Sequence, residues 1–339
     1  WEDIVLLDRY GNEELLCERE ILPIGYDPRL RLTEPIPLQP RPVPPVVAQQ
    51  TAQGEDFVNA DKTATIGVVN VNIHDRPFPE DRPIKRLRVL QVIPKSNPWM
   101  DMPFIGYATE NTPRIPLGTV PVEEDGSAYF EAPYGKQLIF QALDENYMAV
   151  QTMRAVAFVH PGEKLVCVGC HEPTTESVSN TTESAQPTAF QRKPSKLEPE
   201  CGPIEPINYY RLIKPIVEER CVTCHVEKDV EPKKMDHGDL RPYVYYYSGS
   251  MRGGLTTTGT HGGSRSRPGR VGASESKLSK ILFDENHKDS VSDEDRHTFI
   301  MWLDANALRL GAFQDEEGQK RGELVWPLLD VEPCEQYSP

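Results

Sequence analysis

Two short stretches of the chain place two cysteines and a histidine at the same spacing. They lie within LVCVGCHEP and RCVTCHVEK, and their residues are Cys167, Cys170 and His171, then Cys221, Cys224 and His225. Cys-x-x-Cys-His is the pattern of c-type haem attachment: both thiols bond to the vinyl groups of one porphyrin, and the histidine then faces the iron. The composition predicts only about 0.003 copies by chance. The sequence therefore predicts two covalently bound haem c groups.

Zinc is the main alternative, because two Cys-x-x-Cys pairs can supply four thiolates to one metal ion. Cys170 and Cys221 are 51 positions apart, however, which is longer than the usual interval in zinc ribbons. A histidine directly after each pair would also be unnecessary in such a site. A redox-active dithiol is the third interpretation.

Each haem iron has a second axial position, for which the sequence offers other histidines and seven methionines. For the second haem we favour His287, because it lies between the last two predicted helices, where a short turn can direct its imidazole toward the second motif. His297 is the nearest rival, but it falls in an early acidic turn of a helix. The predicted iron ligands are thus His171, His225 and His287.

The first haem has no convincing second ligand in the sequence. His160 is close to the motif along the chain, but a histidine at the end of a strand is more often a surface residue. The remaining histidines are His74, His237 and His261. An iron with an open position is where a substrate binds.

Composition limits the partners. The 339 residues carry 52 acidic and 37 basic side chains, for a net charge of −15, which argues against nucleic acid as a partner. No run approaches the roughly 18 apolar residues of a membrane-spanning helix. The chain begins at Trp1, so it is expected to be a processed product or a piece of a longer protein.

The pattern of residues predicts an α+β protein: a β-sandwich-like domain bearing the first haem, followed by a small, mostly helical, cytochrome c-like domain bearing the second. The expected segments are a hairpin with a proline-rich arm at 1–50, the β-rich domain at 51–175, a linker at 176–206 and the helical domain at 207–339.

Local signals place the individual elements. Strands are predicted within 65–73, 84–93, 118–133, 136–145 and 147–159, with a hairpin turn at Asp125-Gly126. Helices are predicted at 207–220, 274–285 and 290–311, the last with Ser292 as its N-cap.

Several blocks of sequence resemble the hydrazine synthase alpha subunit and its diheme cytochrome relatives. They include LGTVPVEEDGSAYFEAP, LIFQALDENYMAVQTMRA, GEKLVCVGCHE, PIVEERCVTCH and SDEDRHTFIMWLDANA, in this order. The resemblance implies a catalytic-type haem in a β-rich middle domain and a bis-histidine haem in a helical C-terminal domain. It also implies beta and gamma partner subunits, hydrazine formation from nitric oxide and ammonium, and, with it, the anammoxosome as the compartment.

The sequence departs from this family at the first motif. In the family, that histidine turns to a zinc ion, and a tyrosine four residues later binds the iron. Thr175 occupies this position here, so we expect His171 to bind iron in the ordinary way. A bound zinc or calcium ion remains an expectation from the resemblance alone.

Together these observations predict a periplasmic diheme cytochrome, since thioether attachment of haem takes place outside the cytoplasm. Its substrate-binding haem would lie in the β-rich domain and its electron-transfer haem in the helical domain, as in a haem oxidoreductase of nitrogen metabolism. The expected partners are other subunits of a redox complex or cytochromes that exchange electrons. The alternative is a non-enzymatic electron-transfer or assembly cytochrome with both haems six-coordinate.

Overall fold

The chain divides into two compact units, Trp1–Ala48 and Gln49–Pro339. The computed structural model describes residues 4–7, 12–17, 63–96, 102–108, 111–170, 186–248, 256–258 and 267–328. In the first unit, β1 (Ile4–Leu7) pairs antiparallel with β2 (Glu13–Cys17), which is the predicted hairpin.

Two sheets form the β-rich part of the second unit. The four-stranded sheet is antiparallel and consists of β5 (Arg114–Pro121), β4 (Arg86–Val92), β7 (Leu138–Leu143) and β8 (Ala149–Thr152), in that spatial order. The three-stranded sheet has the order β6 (Ala128–Ala132), β3 (Ala64–Val68) and β9 (Lys164–Cys167). Residues of both sheets share one apolar core, so the two sheets pack as a sandwich.

The turn at Asp125-Gly126 has a different role from the one predicted. Gly126 has a φ of +82°, and its N–H donates to Glu123 O at 2.9 Å, so the chain does reverse here. The flanking strands do not pair as a hairpin, because β5 pairs with β4 and β6 pairs with β3. The local signal specifies the reversal but not the neighbouring strand, and the turn carries the chain from one sheet to the other.

The strand that carries Cys167 was not predicted. β9 pairs in parallel with β3, and Val68 lies opposite Cys167 in this register. Parallel pairing joins segments far apart in the chain, so no turn signal announces it. The predicted strands at 65–73 and 147–159 are also shorter in the structure, as β3 and β8.

The second half of the expected linker lies along both sheets. Isolated bridges join Glu198 to Thr119 and Ser195 to Phe130. Phe190 packs so closely on Gly67 that a Cβ there would lie 2.3 Å from its ring. Residues 186–206 are therefore held against the sandwich.

Short helices form the rest of the chain. After a π-helical turn at Tyr209–Ile213 come α1 (Lys214–Val217), a second π-helical turn at Glu218–Val222 and α2 (Thr223–Glu227). The later helices are α3 (His237–Leu240), α4 (Gly272–Glu275), α5 (Lys277–Leu282), α6 (Asp293–Asp304) and α7 (Glu316–Lys320). A 3₁₀ turn at Arg241–Tyr243 follows α3, and a further 3₁₀ turn lies earlier, at Thr188–Gln191. Two three-residue strands, β10 (Tyr246–Ser248) and β11 (Thr256–Thr258), pair in parallel.

Helix α6 anchors the helical part on the sheet. The hydroxyl of Ser292 accepts a hydrogen bond from Asp295 N at 3.1 Å, which is the predicted N-cap. The helix ends earlier than predicted, because Asn306 and Ala307 adopt left-handed φ angles of 73° and 50°. Trp302 of this helix lies in one core with Leu90 and other residues of the four-stranded sheet.

The architecture is therefore α+β, with sheets and helices in the same compact unit. Among the described helices, none is long and apolar enough to cross a membrane.

Candidate functional site

The second Cys-x-x-Cys-His motif lies on a continuous helical segment. Pro215, which has no N–H to donate, lies in the first turn of α1, where such a donor is not needed. Cys221 lies within the second π-helical turn, and Cys224 and His225 follow in α2. Residues three and four positions apart share one face of a helix, so both thiols and the imidazole face the same side.

That face borders a cavity of about 440 Å³. A volume of this size falls within the range of roughly 300–1,000 Å³ that small-molecule and cofactor sites occupy. Most of its walls are apolar, and they include Val217, Met235, Leu240, Leu278, Ile281, Leu282, Val291 and Phe299. The chain thus forms a largely apolar chamber beside the three motif residues.

His287 lies on the wall of the same cavity. It follows α5 and precedes α6, as the sequence predicted, and its ring centre is 6.3 Å from that of His225. The structure therefore brings together four of the predicted site residues: Cys221, Cys224, His225 and His287.

The separation of the two imidazoles suits one metal ion between them. A metal–imidazole bond is about 2 Å long, and the ring centre lies ~1 Å beyond the nitrogen, so opposed rings on one metal have centres about 6 Å apart. The Nδ1 atom of His225 is buried and has no hydrogen-bond partner in the described part of the chain. The donor set and the cavity fit a haem held at this motif.

A carboxylate orients the imidazole of His287. Nδ1 of His287 lies 2.8 Å from Oδ1 of Asp284. The pKa of Asp284 is lowered, and this hydrogen bond is the largest cause. Because an ionised carboxylate only accepts hydrogen bonds, Nδ1 is the donor, and a neutral imidazole held in this way keeps its lone pair at Nε2. Carboxylate–histidine pairs of this kind fix the tautomer of metal-binding histidines.

The thiol of Cys221 differs from that of a redox dithiol. Burial raises its pKa to about 11, and the nearby charge of Asp295 acts in the same direction. Redox-active cysteines instead have lowered pKa values and reactive thiolates at neutral pH. The environment of Cys221 thus argues against the dithiol interpretation.

The first motif follows the edge strand of the three-stranded sheet. Cys167 is the last residue of β9, and its carbonyl accepts a hydrogen bond from Val69 N at 2.9 Å. Cys170 N donates to Ile73 O at 3.0 Å, and Gly169 approaches this carbonyl so closely that a Cβ would lie 2.3 Å away. Both cysteines pack against the sandwich core. His171 lies outside the described residues.

The geometry gives no support to a four-cysteine zinc site. Cys221 packs against the helical core, whereas Cys167 and Cys170 pack against the sandwich core. Within the ranges that the structure describes, no three His, Cys, Asp or Glu side chains converge as a metal site would require.

The other candidate histidines have separate surroundings. His160 is exposed, its backbone N–H bonding to the carboxylate of Glu163. His237 is buried, with Nε2 2.9 Å from Ala307 O, and His297 contacts the carboxylate of Glu200 at 2.7 Å. His261 lies outside the described residues. None of the three described ones lines the cavity of the second motif.

His74 is the residue that sequence reasoning did not favour. Its side chain is 1% exposed, and it directly follows Ile73, the hydrogen-bond acceptor of Cys170. Nδ1 lies 3.0 Å from Arg76 N, and Nε2 lies 2.7 Å from Nε2 of Gln151. The only signal for it would have been the parallel pairing of β3 with β9, which places the residues after both strands side by side.

Comparison with known proteins connects part of the chain to one family. Residues 83–172 match the family model described as the hydrazine synthase alpha subunit middle domain. Among solved structures, hydrazine synthase from Kuenenia stuttgartiensis matches with a TM-score of 0.49 and 15% identity, over 73% of this chain and 43% of that one. The chain thus spans less than half the length of that relative. No curated protein matches.

The matched segment includes the whole first motif, with Cys167, Cys170 and His171, and ends one residue after it, at Glu172. The second motif lies beyond it. Residues 83–172 are related to the middle domain of the hydrazine synthase alpha subunit.

Proposed function

We propose that the chain is a two-haem c-type subunit of a redox complex, related to the hydrazine synthase alpha subunit. The observation that carries this proposal is the cavity beside Cys221 and Cys224, which His225 and His287 both line with ring centres 6.3 Å apart. When bound, each haem would supply one-electron redox chemistry at iron.

The second site would serve electron transfer. His225 follows the two attachment cysteines and His287 lines the same cavity, so the imidazoles of both residues would hold the iron. Asp284 holds the second imidazole with its Nε2 available. The apolar walls would exclude water from the cavity, which suits a site that exchanges electrons and binds no substrate.

The first site would bind substrate, with Cys167 and Cys170 as the attachment residues and His171 as the expected iron ligand. His74, the buried histidine beside this motif, has hydrogen-bond contacts at both ring nitrogens, with Arg76 and Gln151. Its imidazole is thus already engaged, which supports an iron with one open position. The relation of residues 83–172 to the hydrazine synthase middle domain supports a small nitrogen compound as the substrate class.

The second candidate function is electron transfer alone, with both haems six-coordinate. One observation favours it: His74 is buried directly beside Cys170, so a modest rearrangement of its contacts would supply a second imidazole. In either case we infer an extracytoplasmic compartment, because thioether attachment of haem occurs there, and partner subunits or cytochromes as electron partners.

Haem attachment is tested by the mass of the intact chain after secretion in a host that matures c-type cytochromes. We expect two haems on the unmodified chain and one on each double variant, Cys167→Ala with Cys170→Ala and Cys221→Ala with Cys224→Ala. A chain with no added tetrapyrrole, or one zinc ion lost in either double variant, would contradict the proposal.

The roles of the two irons are tested by visible spectroscopy. His287→Ala should convert the haem at the second motif from low spin to high spin, whereas the exposed His160→Ala should leave the spectrum unchanged. Carbon monoxide should bind one haem of the unmodified protein, and that binding should disappear with the Cys167→Ala and Cys170→Ala changes. A purely low-spin spectrum that is indifferent to carbon monoxide would favour the electron-transfer function.

A further inference from the structure

A second cavity lies where the four-stranded sheet meets the helical part. It has a volume of about 260 Å³, and none of its lining residues borders the cavity of the second motif. β5 contributes Arg114, the loop before it contributes Asn111, and the end of α6 contributes Asp304, followed by Asn306. Arg154, after β8, also lies on the wall.

Arg114 places a cation at this cavity without a counter-ion. Its Nε is buried without a hydrogen-bond partner, and no ion pair of its guanidinium occurs in the part of the chain that the structure describes. Burial alone lowers its pKa to about 10, with no neighbouring carboxylate acting on it. Its backbone is fixed, because Ile207 N donates to Arg114 O at 2.9 Å.

Among the described residues, the wall carries one carboxylate, and it is already engaged. Asp304 accepts hydrogen bonds from the guanidinium of Arg88 at 2.9 Å, from Ala149 N at 2.9 Å and from Ala273 N at 2.8 Å. These three bonds use both of its oxygens. It is therefore bound to Arg88 and to the backbone, and it does not neutralise Arg114.

Asn111 adds an unpaired donor to the same wall. Its Oδ1 accepts a hydrogen bond from Nδ2 of Asn306 at 2.6 Å, which fixes the orientation of the amide. Its Nδ2 is buried and has no partner in the described residues. A Cβ on Gly106 would lie 2.4 Å from this nitrogen, so the glycine makes room for the amide.

Unpaired buried donors are costly, and an unpaired buried cation more so. An anion that accepts from both side chains would remove that cost, because it supplies acceptors and the opposite charge together. We propose that the cavity lined by Arg114 and Asn111 binds a small oxyanion, of the carboxylate or nitrite class.

The cavity has room for such a ligand, since one water molecule takes about 30 Å³ in the liquid. The oxygens could come from a free anion or from a propionate of the haem in the sheet-rich part. The second source rests on the proposed function, whereas the first does not. The two sources present the same chemistry to Arg114.

The test measures thermal unfolding of the purified haem-loaded protein at increasing concentrations of sodium nitrite or sodium acetate, with sodium chloride matched for ionic strength. The matched variants are Arg114→Met and Arg321→Met, the latter removing an exposed arginine that pairs with Glu323. Binding of a free anion should raise the midpoint temperature of unfolding of both the unmodified protein and the Arg321→Met variant. Arg114→Met should need an anion concentration about tenfold or more higher for the same rise.

A second measurement separates this role from a structural one. Without added anion, Arg114→Met should be at least as stable as the unmodified protein, because it removes a partly buried charge that no carboxylate of the described residues neutralises. If a propionate is the occupant, added anions have no effect, and Arg114→Met shifts the midpoint potential of the haem that is absent when Cys167 and Cys170 are replaced.

The inference is overturned if neither anion shifts the midpoint temperature of unfolding and Arg114→Met leaves the midpoint potentials of both haems unchanged. It is also overturned if Arg114→Met and Arg321→Met respond to anions alike. The haem content of each sample is measured separately and tests the proposed function. A protein that carries no haem can still show the rise in unfolding temperature that a bound free anion produces.

Discussion

A buried ion cluster joins the four-stranded sheet to the helical part, and its central carboxylate can be tested. Arg88 on β4 donates from Nε to Glu200 Oε2 at 2.5 Å, from Nη2 to Glu200 Oε1, and from Nη1 to Asp304 Oδ2 at 2.9 Å. The side chains of all three residues are at most 1% exposed. Replacing one carboxylate therefore leaves Arg88 only partly compensated inside the protein.

The size of the effect follows from the pKa of Glu200. Burial by itself raises this pKa. The charge and hydrogen bonds of Arg88, with a contribution from His297, lower it by more than burial raises it. The net result is a pKa of about 2, compared with an ordinary 4.5. Each whole-number change in a pKa corresponds to about 1.4 kcal/mol, so ionised Glu200 contributes about 3 kcal/mol to the free energy of unfolding. Because the folded pKa is depressed, this stability is present above pH 4.5 and is lost as the pH falls toward 2.

The assay is urea unfolding of the unmodified protein and of Glu200→Gln from pH 7 to pH 3. At pH 7 the variant should be less stable by about 3 kcal/mol, and at pH 3 by only about 1 kcal/mol, because at pH 3 this carboxyl is protonated in the unfolded chain while it is still mostly ionised in the folded protein. Taking the difference between the two proteins cancels the titration of other groups, to the extent that they are independent of Glu200.

Glu198→Gln is the matched control. Glu198 is 73% exposed and lies 3.9 Å from Arg86, so its loss should cost less than about 1 kcal/mol. The reasoning fails if Glu200→Gln costs no more than Glu198→Gln at pH 7, or if its cost is the same at pH 7 and pH 3.

Two further predictions concern the helical part and the sheet. Burial lowers the pKa of His237 to about 4, so the unfolded chain binds the proton more tightly and stability should fall by about 3 kcal/mol between pH 6.5 and pH 4. Urea unfolding of His237→Gln should lack most of this decline, and an equal decline in the variant would contradict the assignment. Gly118 has a φ of +132°, and a Cβ there would lie 2.5 Å from Glu198 O, so Gly118→Ala should cost about 2 kcal/mol or more. Gly135→Ala should cost only about 1 kcal/mol, since its φ of +68° is strained for alanine but nothing lies within 4 Å; equal costs would refute the close contact.

The sequence was informative wherever the signal was local. Ser292 before three acidic residues predicted the start of α6, and the placement of His287 between two helices predicted its approach to the second motif. Both depend on helical periodicity and short turns, which a few neighbouring residues determine.

Strand neighbours could not be read in the same way. The turn at Asp125-Gly126 was predicted, yet the strands on either side of it lie in different sheets. β9 lies beside β3 only because residues almost a hundred positions apart share a core. Since a strand is specified by its own alternation and a sheet by pairing between strands, the order within each sheet depends on packing of the whole unit.

The same distinction separates the two sites. At the second motif, helical spacing brings Cys221, Cys224 and His225 to one face, and only His287 must arrive from elsewhere, so the sequence alone indicated the whole set. At the sheet-rich end, parallel strand pairing places Cys170 against the carbonyl of Ile73, the residue before His74, and Arg114 meets Asn111 at a cavity that a helix closes. Residues that depend on such long-range contacts become candidates only when burial and missing partners are seen. Arg114 is partly buried, and among the described residues its Nε has no hydrogen-bond partner; that is visible in three dimensions, whereas in the sequence it is one arginine among many.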